Sequence, residues 1–437
     1  MRFMLLVPGT GHFYCGSCLR DDVLGRALRS RGHQVDVVPL YLPLKVEEPA
    51  ADLPVHMGGI NMYLQQKSRL AQRLPRWLAN LLDSPRLLRW ASKRAHLTQA
   101  RGLGEMTLSM LKGEHGNQVL EVEKLVEWAM GAERPDVIVL SNLMLAGVAS
   151  RLRQALDRPI VATLQGEAPF LDALPEPFCA QAWDAIKERA ADIDAFVPVS
   201  HSYSELMISR LGIDELRVRV VHNGLDLSDV DPDPAPLSSR RPRAVGYLAR
   251  MCKDKGLDTL VDAFLMLKED PQFEDLRLRV AGVVLNEDRD ALRQIQARIA
   301  AAGHGEHAEF HPNVSRAEKL AFLRSLSVFS VPALYGESFG LYVLEALAAG
   351  VPVVQPRHSS FPEILGATGG GTLCDPDDHA ALAMGLRELL LDPQKSQELA
   401  DRGRATVRER FTADRMAGQV EELCAAIGGK RQPAGAN

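Results

Sequence analysis

Gly336-Glu337-Ser338-Phe339-Gly340-Leu341-Tyr342-Val343-Leu344-Glu345-Ala346-Leu347-Ala348-Ala349-Gly350-Val351-Pro352-Val353-Val354 reads as a loop, a helix and a buried strand, with two carboxylates eight residues apart. Ser338 suits an N-cap, Gly350 suits the C′ position, and Pro352 prevents the helix from continuing. The backbone N–H groups of Phe339, Gly340 and Leu341 would then form an anion site at the helix N-terminus. Eight residues at helical rise span roughly 12 Å with an angular offset of about 80°, so Glu337 and Glu345 lie on broadly one side. That is too far for an acid–base carboxylate pair, which needs about 5–9.5 Å, and it suits one extended ligand instead. A lone Glu-x7-Glu would be a capped helix with two glutamates facing water; the flanking residues decide otherwise.

Those residues are the apolar run Val328-Phe329-Ser330-Val331-Pro332 before the loop and Gly246-Tyr247-Leu248-Ala249-Arg250-Met251-Cys252-Lys253-Asp254-Lys255-Gly256 further upstream. The strand, the Ser-Phe-Gly, the Glu-x7-Glu and the Gly-Val-Pro-Val-Val together resemble the signature of the family 4 retaining glycosyltransferases of the GT-B fold. The upstream segment resembles that family's strand–Arg-x4-Lys-Gly element. An arginine fork and a lysine point charge converging on a diphosphate would neutralise the charge that grows as it leaves. Val221-His222-Asn223-Gly224-Leu225-Asp226 resembles the family's Asn-Gly-Asp turn. Phe310-His311-Pro312-Asn313-Val314 corresponds to the loop whose backbone faces the nucleotide base, and Phe361-Pro362-Glu363-Ile364 to a structural Pro-Glu-Ile turn.

The pattern of elements agrees with an α/β chain. Strands are expected at 3–7, 34–39, 135–140, 159–164, 195–199 and 218–222, alternating with helices, as in a parallel doubly wound sheet. Strands at 243–248, 276–284, 308–310, 328–331 and 351–355 repeat the theme. The expectation is two Rossmann-like domains facing a central cleft. The first spans 1–225 with a helical insertion at about 65–120, followed by a linker at 226–243 rich in Asp, Pro, Ser and Arg. The second spans 244–410. A final helix at 411–430 returns to the N-terminal domain, as the resemblance implies, and 431–437 is a tail.

The chain's 437 residues suffice for two such domains. Hydrophobic content of 46%, charged content of 24% and a net charge of -5 are those of a globular protein with no bias toward nucleic acid. The opening residues are too short and too early broken by Pro8 for a signal peptide or membrane span. Six scattered cysteines fit reduced thiols and a cytoplasmic location. Cys15-Gly16-Ser17-Cys18 reads as two small residues flanking a glycine turn rather than half a zinc site, because no second Cys/His pair accompanies it; a redox role stays open. Within the insertion, Leu70, Leu74, Trp77, Leu78, Leu81 and Leu82 recur at helical spacing, accompanied by Lys67, Arg69, Arg73, Arg76, Arg86, Arg89, Lys93 and Arg94. Three readings remain there: peripheral contact with an anionic membrane, at the inner face; the wall of an acceptor cleft; or a solvated basic face.

The loop after the first strand, Pro8-Gly9-Thr10-Gly11-His12, lacks a G-x-G-x-x-G and is no nicotinamide fingerprint. By the resemblance, Gly16 is the glycine at the start of the first helix. Thr163-Leu164-Gln165-Gly166-Glu167 departs from the family, which often carries histidine where Gln165 stands; a glutamine cannot titrate near neutrality. The resemblance implies a retaining, metal-independent transferase moving a sugar from a nucleotide-diphosphate sugar to a sugar, lipid-linked or small-molecule acceptor. No cofactor and no Asp-x-Asp metal run is expected. Arg250, Lys255 and Glu337 would act on the reacting sugar and diphosphate. Gly16, Asn313, Val314, Ser338, Phe339, Gly340, Leu341 and Glu345 would bind the donor, with Glu345 on the ribose. His12, Gln165 and Glu167 are acceptor-side candidates. Domain closure would expel water. Rival readings are a non-catalytic nucleotide-sugar binding protein, a phosphorylase or a nucleotide-sugar epimerase.

Overall fold

The computed structural model describes residues 1–9, 16–44, 55–67, 84, 87–88 and 100–431. His12, Cys15, the tail from 432 and most of the basic stretch between Lys67 and Arg94 lie outside the described residues. The chain divides into two compact units, Met1–His222 with Ala413–Asn437, and Asn223–Thr412.

The first unit is built on a parallel sheet of β1 (Arg2–Val7), β2 (Gln34–Pro39), β3 (Val137–Leu140), β4 (Ile160–Leu164) and β5 (Ala195–Pro198), in the order β2-β1-β3-β4-β5. Both faces are covered, which is why β3, β4 and β5 and most of β1 are continuously apolar, while the edge strand β2 carries Gln34 and Asp36. Alternate residues serve opposite sides: Met4 and Leu6 of β1, with Ile138 and Leu140 of β3, enter one core. Phe3 and Leu5, with Val137 and Val139, enter the other. That second core is closed by Leu24 and Leu28 of the first helix, Gly16–Ser30, and by Met416, Ala417, Val420 and Cys424 of the last helix, Ala413–Arg431. At the rim the same two helices are joined by Arg31, which donates to Asp414 and Glu421, each at 2.8 Å. The stretch 218–222, expected as a strand, makes only an isolated parallel bridge through Val218 to Phe196. Of the insertion, the described part comprises the helices Gly59–Lys67 and Ala100–Leu111 and a short 3-10 turn.

The second unit carries β6 (Ala244–Leu248), β7 (Arg277–Gly282), β8 (Ala308–Pro312), β9 (Val328–Phe329), β10 (Val353–Pro356) and β11 (Gly371–Cys374), all parallel, in the order β11-β10-β9-β6-β7-β8. Strand order reverses between β6 and β9, so the loops leaving their C-terminal ends open a crevice at that switch point. Those loops are 249–256 and 330–340. They are drawn together by the Leu334 N–H, which donates to the Asp254 carbonyl at 2.9 Å. The segment 226–243 is not a free linker. Leu237 is buried, and the buried Arg240 guanidinium donates to the carbonyls of Ala235, Leu326 and Ala349.

Candidate functional site

The helix of the Glu-x7-Glu segment is Leu341–Ala348, so Glu337 lies in the loop before it and the expected spacing of the two glutamates along one continuous helix does not hold. The helix is almost wholly apolar, so it is buried on nearly all sides, with only Leu341 and Glu345 partly open. Its N-cap is Gly340, in the left-handed region at φ 82°, and not Ser338. Packing is the cause: Phe339 is 2% exposed and Ser338 is buried, so the chain is already inside the unit before the helix begins. Turning from there into the helix requires a positive φ, which glycine adopts without penalty. The C-terminus follows the sequence: the Gly350 N–H donates to Leu347 O and the Val351 N–H to Ala346 O, the paired bonds of a Schellman motif.

Lys255 and Glu337 meet. Lys255 Nζ donates to Glu337 Oε2 at 2.5 Å, and Tyr342 Oη donates to the same oxygen at 2.8 Å. Among the described residues Glu337 Oε1 has no partner. The ammonium also lies 4.9 Å from the Tyr335 ring centroid and 5.6 Å from that of Tyr342. Burial works against its charge, but Glu337 and Tyr335 outweigh it and hold the Lys255 pKa above the ordinary lysine range. Gly256, at φ 71°, allows this approach, since a Cβ there would stand 1.8 Å from Pro332 O. Arg250 belongs to the same loop but pairs elsewhere. Its Nε donates to Asp288 Oδ2 at 2.8 Å and its Nη2 to Asp288 Oδ1 at 2.9 Å, with Glu287 also on Nη2. Burial lowers its pKa and the Asp288 carboxylate more than restores it. Glu345 Oε1 accepts from Lys319 Nζ at 2.7 Å. Asn313 is exposed in the left-handed region at φ 57°, its N–H donating to Gly282 O, and Val314 beside it is half-buried. The Pro-Glu-Ile segment is the first turn of the helix Phe361–Thr368 rather than a free turn.

In the first unit, Gly16 is the exposed first residue of its helix. Gln165 follows β4 and its amide nitrogen is committed. It donates to Ser141 O at 2.6 Å and to the two Asp21 oxygens at 3.2 and 3.4 Å. Swapping the amide would set its oxygen against three acceptors, so the network fixes its orientation. Asp21 is buried and also accepts from Arg20 and Ser141; burial raises its pKa despite Arg20. Glu167, also an acceptor-side candidate, is enclosed by donors of its own surroundings. It is 4% exposed and accepts from the N–H groups of Leu143, Gln165 and Gly166 and from Tyr203 Oη. With four donors on two oxygens it organises the loops after β3 and β4.

Residues 23–224 match the glycosyl transferase 4-like domain, and residues 233–406 match the glycosyl transferases group 1. A phosphatidyl-myo-inositol mannosyltransferase of Mycobacterium leprae is 30% identical over 262 residues, covering 56% of this chain and 67% of the relative. The chain belongs to the family 4 glycosyltransferases of the GT-B fold. A glycogen synthase of Mycobacterium tuberculosis is 27% identical over 311 residues, covering 69% and 71%. Anabaena HepE, solved with UDP and also with UDP-glucose, superposes with a TM-score of 0.68 in each case, at 18% identity over 98% and 100% of the two chains. In this glycosyltransferase the sequence did not reveal Tyr342, Lys319 or the Glu287–Asp288 pair. Each lies on an element different from its partner or inside an apolar helix, and only the basic residue at 319 and the acidic dipeptide offered any signal. No helix among the described residues is long and apolar enough to cross a membrane.

Proposed function

We propose that this glycosyltransferase takes its sugar from a nucleotide-diphosphate sugar bound by the second unit, and transfers it with retention and without a metal. The observation that carries the reading is the pair of lysine-held glutamates, Glu337 in the loop that leads into one buried helix and Glu345 within that helix, at the switch point of a parallel sheet. Glu337 Oε2 is occupied by Lys255 and Tyr342, which leaves Oε1 to accept from a sugar hydroxyl. Glu345 accepts from the ribose hydroxyls. Arg250, Lys255 and the N–H groups following Ser338 bear the diphosphate between them, where developing negative charge gains most from fixed donors. The leaving diphosphate and the incoming acceptor share one face of an oxocarbenium-like sugar, so no protein nucleophile is required. HepE, solved with UDP-glucose, supports the donor class.

The acceptor side belongs to the first unit. Gln165 works there by hydrogen bonding, not proton transfer, because an amide does not titrate. A lipid-linked acceptor is supported by the relation to a phosphatidyl-myo-inositol mannosyltransferase and by the basic composition of 67–94, which suits a cytoplasmic enzyme resting on an anionic membrane face. Such an enzyme co-sediments with anionic vesicles at low salt and detaches at high salt; failure to sediment removes the membrane contact. The donor reading is tested by calorimetry with UDP-, GDP- and ADP-sugars in EDTA, with donor hydrolysis followed in parallel. Binding of one donor class with slow hydrolysis supports it; no binding of any class refutes it.

A further inference from the structure

Arg250 is pinned along one edge of its guanidinium. Its Nε and Nη2 form a side-on bidentate pair with the two Asp288 oxygens, at 2.8 and 2.9 Å. Such a fork is planar, so one pair fixes the direction of every remaining N–H. Nη1 has no partner among the described residues. Asp288 itself is anchored: its side chain is 7% exposed, its Oδ2 also accepts from the Leu285 N–H at 3.1 Å, and it stands at the head of the helix Arg289–Ala301. The other end of Arg250 is held through its carbonyl, which accepts from Tyr247 Oη at 2.8 Å and from the Cys252 N–H at 2.9 Å. Both ends of the side chain are thus fixed, while the guanidinium keeps an exposed edge.

We propose that Asp288 is a positioning residue that holds Arg250 so that its Nη1 edge is presented to a nucleoside diphosphate. The proposal rests on the reading of Arg250 as a diphosphate ligand. An alternative role for a carboxylate on that guanidinium is competition with the ligand. Burial argues against it, because a carboxylate anchored by its own backbone contact does not yield its place. The side-on pairing also leaves the far edge open rather than covering it. The more exposed Glu287 is the group that gives way.

The experiment is titration calorimetry of UDP, GDP and ADP into the full-length wild type, Asp288→Asn, Arg250→Ala and the double variant. The tightest diphosphate in wild type is the probe thereafter. Asp288→Asn should weaken it about tenfold, as expected for one charge-assisted bond losing its direction, and should add nothing in the Arg250→Ala background. Tighter binding by Asp288→Asn, or an equal loss in both backgrounds, overturns the proposal while leaving the donor site standing. No binding of any diphosphate by wild type overturns the donor site and this inference together. Arg250→Lys supplies a second route that leaves Asp288 intact. It keeps the charge without the fork and should lose affinity to a similar degree, and undiminished binding overturns the proposal.

Discussion

Replacing Lys255 by methionine isolates the contact on which the site's electrostatics turn. The Lys255 and Glu337 side chains are 17% and 12% exposed, and their charged atoms are in direct contact. At about 4 Å between charge centres and an effective dielectric near 20, the gross attraction is about 4 kcal/mol. Desolvation of both groups offsets roughly half of that, since fully buried pairs lose about 3–5 kcal/mol when one partner is removed and exposed pairs about 0–1. Lys255→Met should therefore destabilise by about 2–3 kcal/mol, leaving Glu337 with Tyr342 Oη as its one remaining side-chain donor among the described residues. Glu337→Gln should cost about 1–2 kcal/mol, and the double variant less than the sum by about 1.5–2 kcal/mol. The four tryptophans, Trp77, Trp90, Trp128 and Trp183, all precede Asn223, so their fluorescence does not report on the second unit. Urea unfolding followed by far-UV circular dichroism is the appropriate assay. Additivity within about 0.5 kcal/mol would refute the claim that these two charges hold one another.

Two glycines near the site should differ in sensitivity. Gly340→Ala meets a positive φ and a 3.2 Å contact to the Phe361 ring, and should lower stability by about 1–2 kcal/mol. Gly256→Ala meets the Pro332 carbonyl at 1.8 Å, which only backbone movement can relieve, so its loss in urea midpoint should be clearly the larger. The pH response of the first unit should centre on His56. Its ring stacks on Trp128 with centroids 4.1 Å apart, and burial, then Lys124, push its pKa down to about 4. Between that value and an unfolded value of about 6.5 the unfolded chain binds more protons, so stability is present above about 6.5 and is lost as pH falls toward about 4. Tryptophan-detected unfolding at pH 7.5 and 4.5 should show this decline, and His56→Gln should flatten it.

How much was legible depended on whether a feature is local. The parallel alternation in both halves could be read because strands buried on two faces are uninterrupted apolar runs, and β1, β3 and β4 are of that kind. β11, Gly371-Thr372-Leu373-Cys374, escaped because its short sequence carries little apolar character. The polar helix Pro393–Arg410 escaped because its buried side is made of small residues, Ser396, Ala400 and Gly403, together with Val407. Glu337, Glu345, Lys255 and Arg250 were visible as a spaced pattern, but their partners were not. Lys319 is 26 residues from Glu345 and Asp288 is 38 from Arg250, separations that only the sheet topology closes. Residue type alone points to Ser338 as the cap, whereas the burial of Phe339 places the cap at Gly340. Residue type leaves Glu167 open between an acceptor-side and a structural role, and only the fold brings its four donors from the neighbouring loops and Tyr203 to it.

Sugar transfer from a nucleotide-diphosphate donor on the face that the diphosphate leaves keeps the donor's anomeric configuration. The most direct measurement is proton NMR of slow donor hydrolysis, following the anomeric signal of the released sugar before it equilibrates. The sugar should appear first in the anomeric form it had in the donor, and Glu337→Gln and Arg250→Ala should slow its appearance. Release first as the opposite anomer, or release undiminished in both variants, would contradict the proposed transfer.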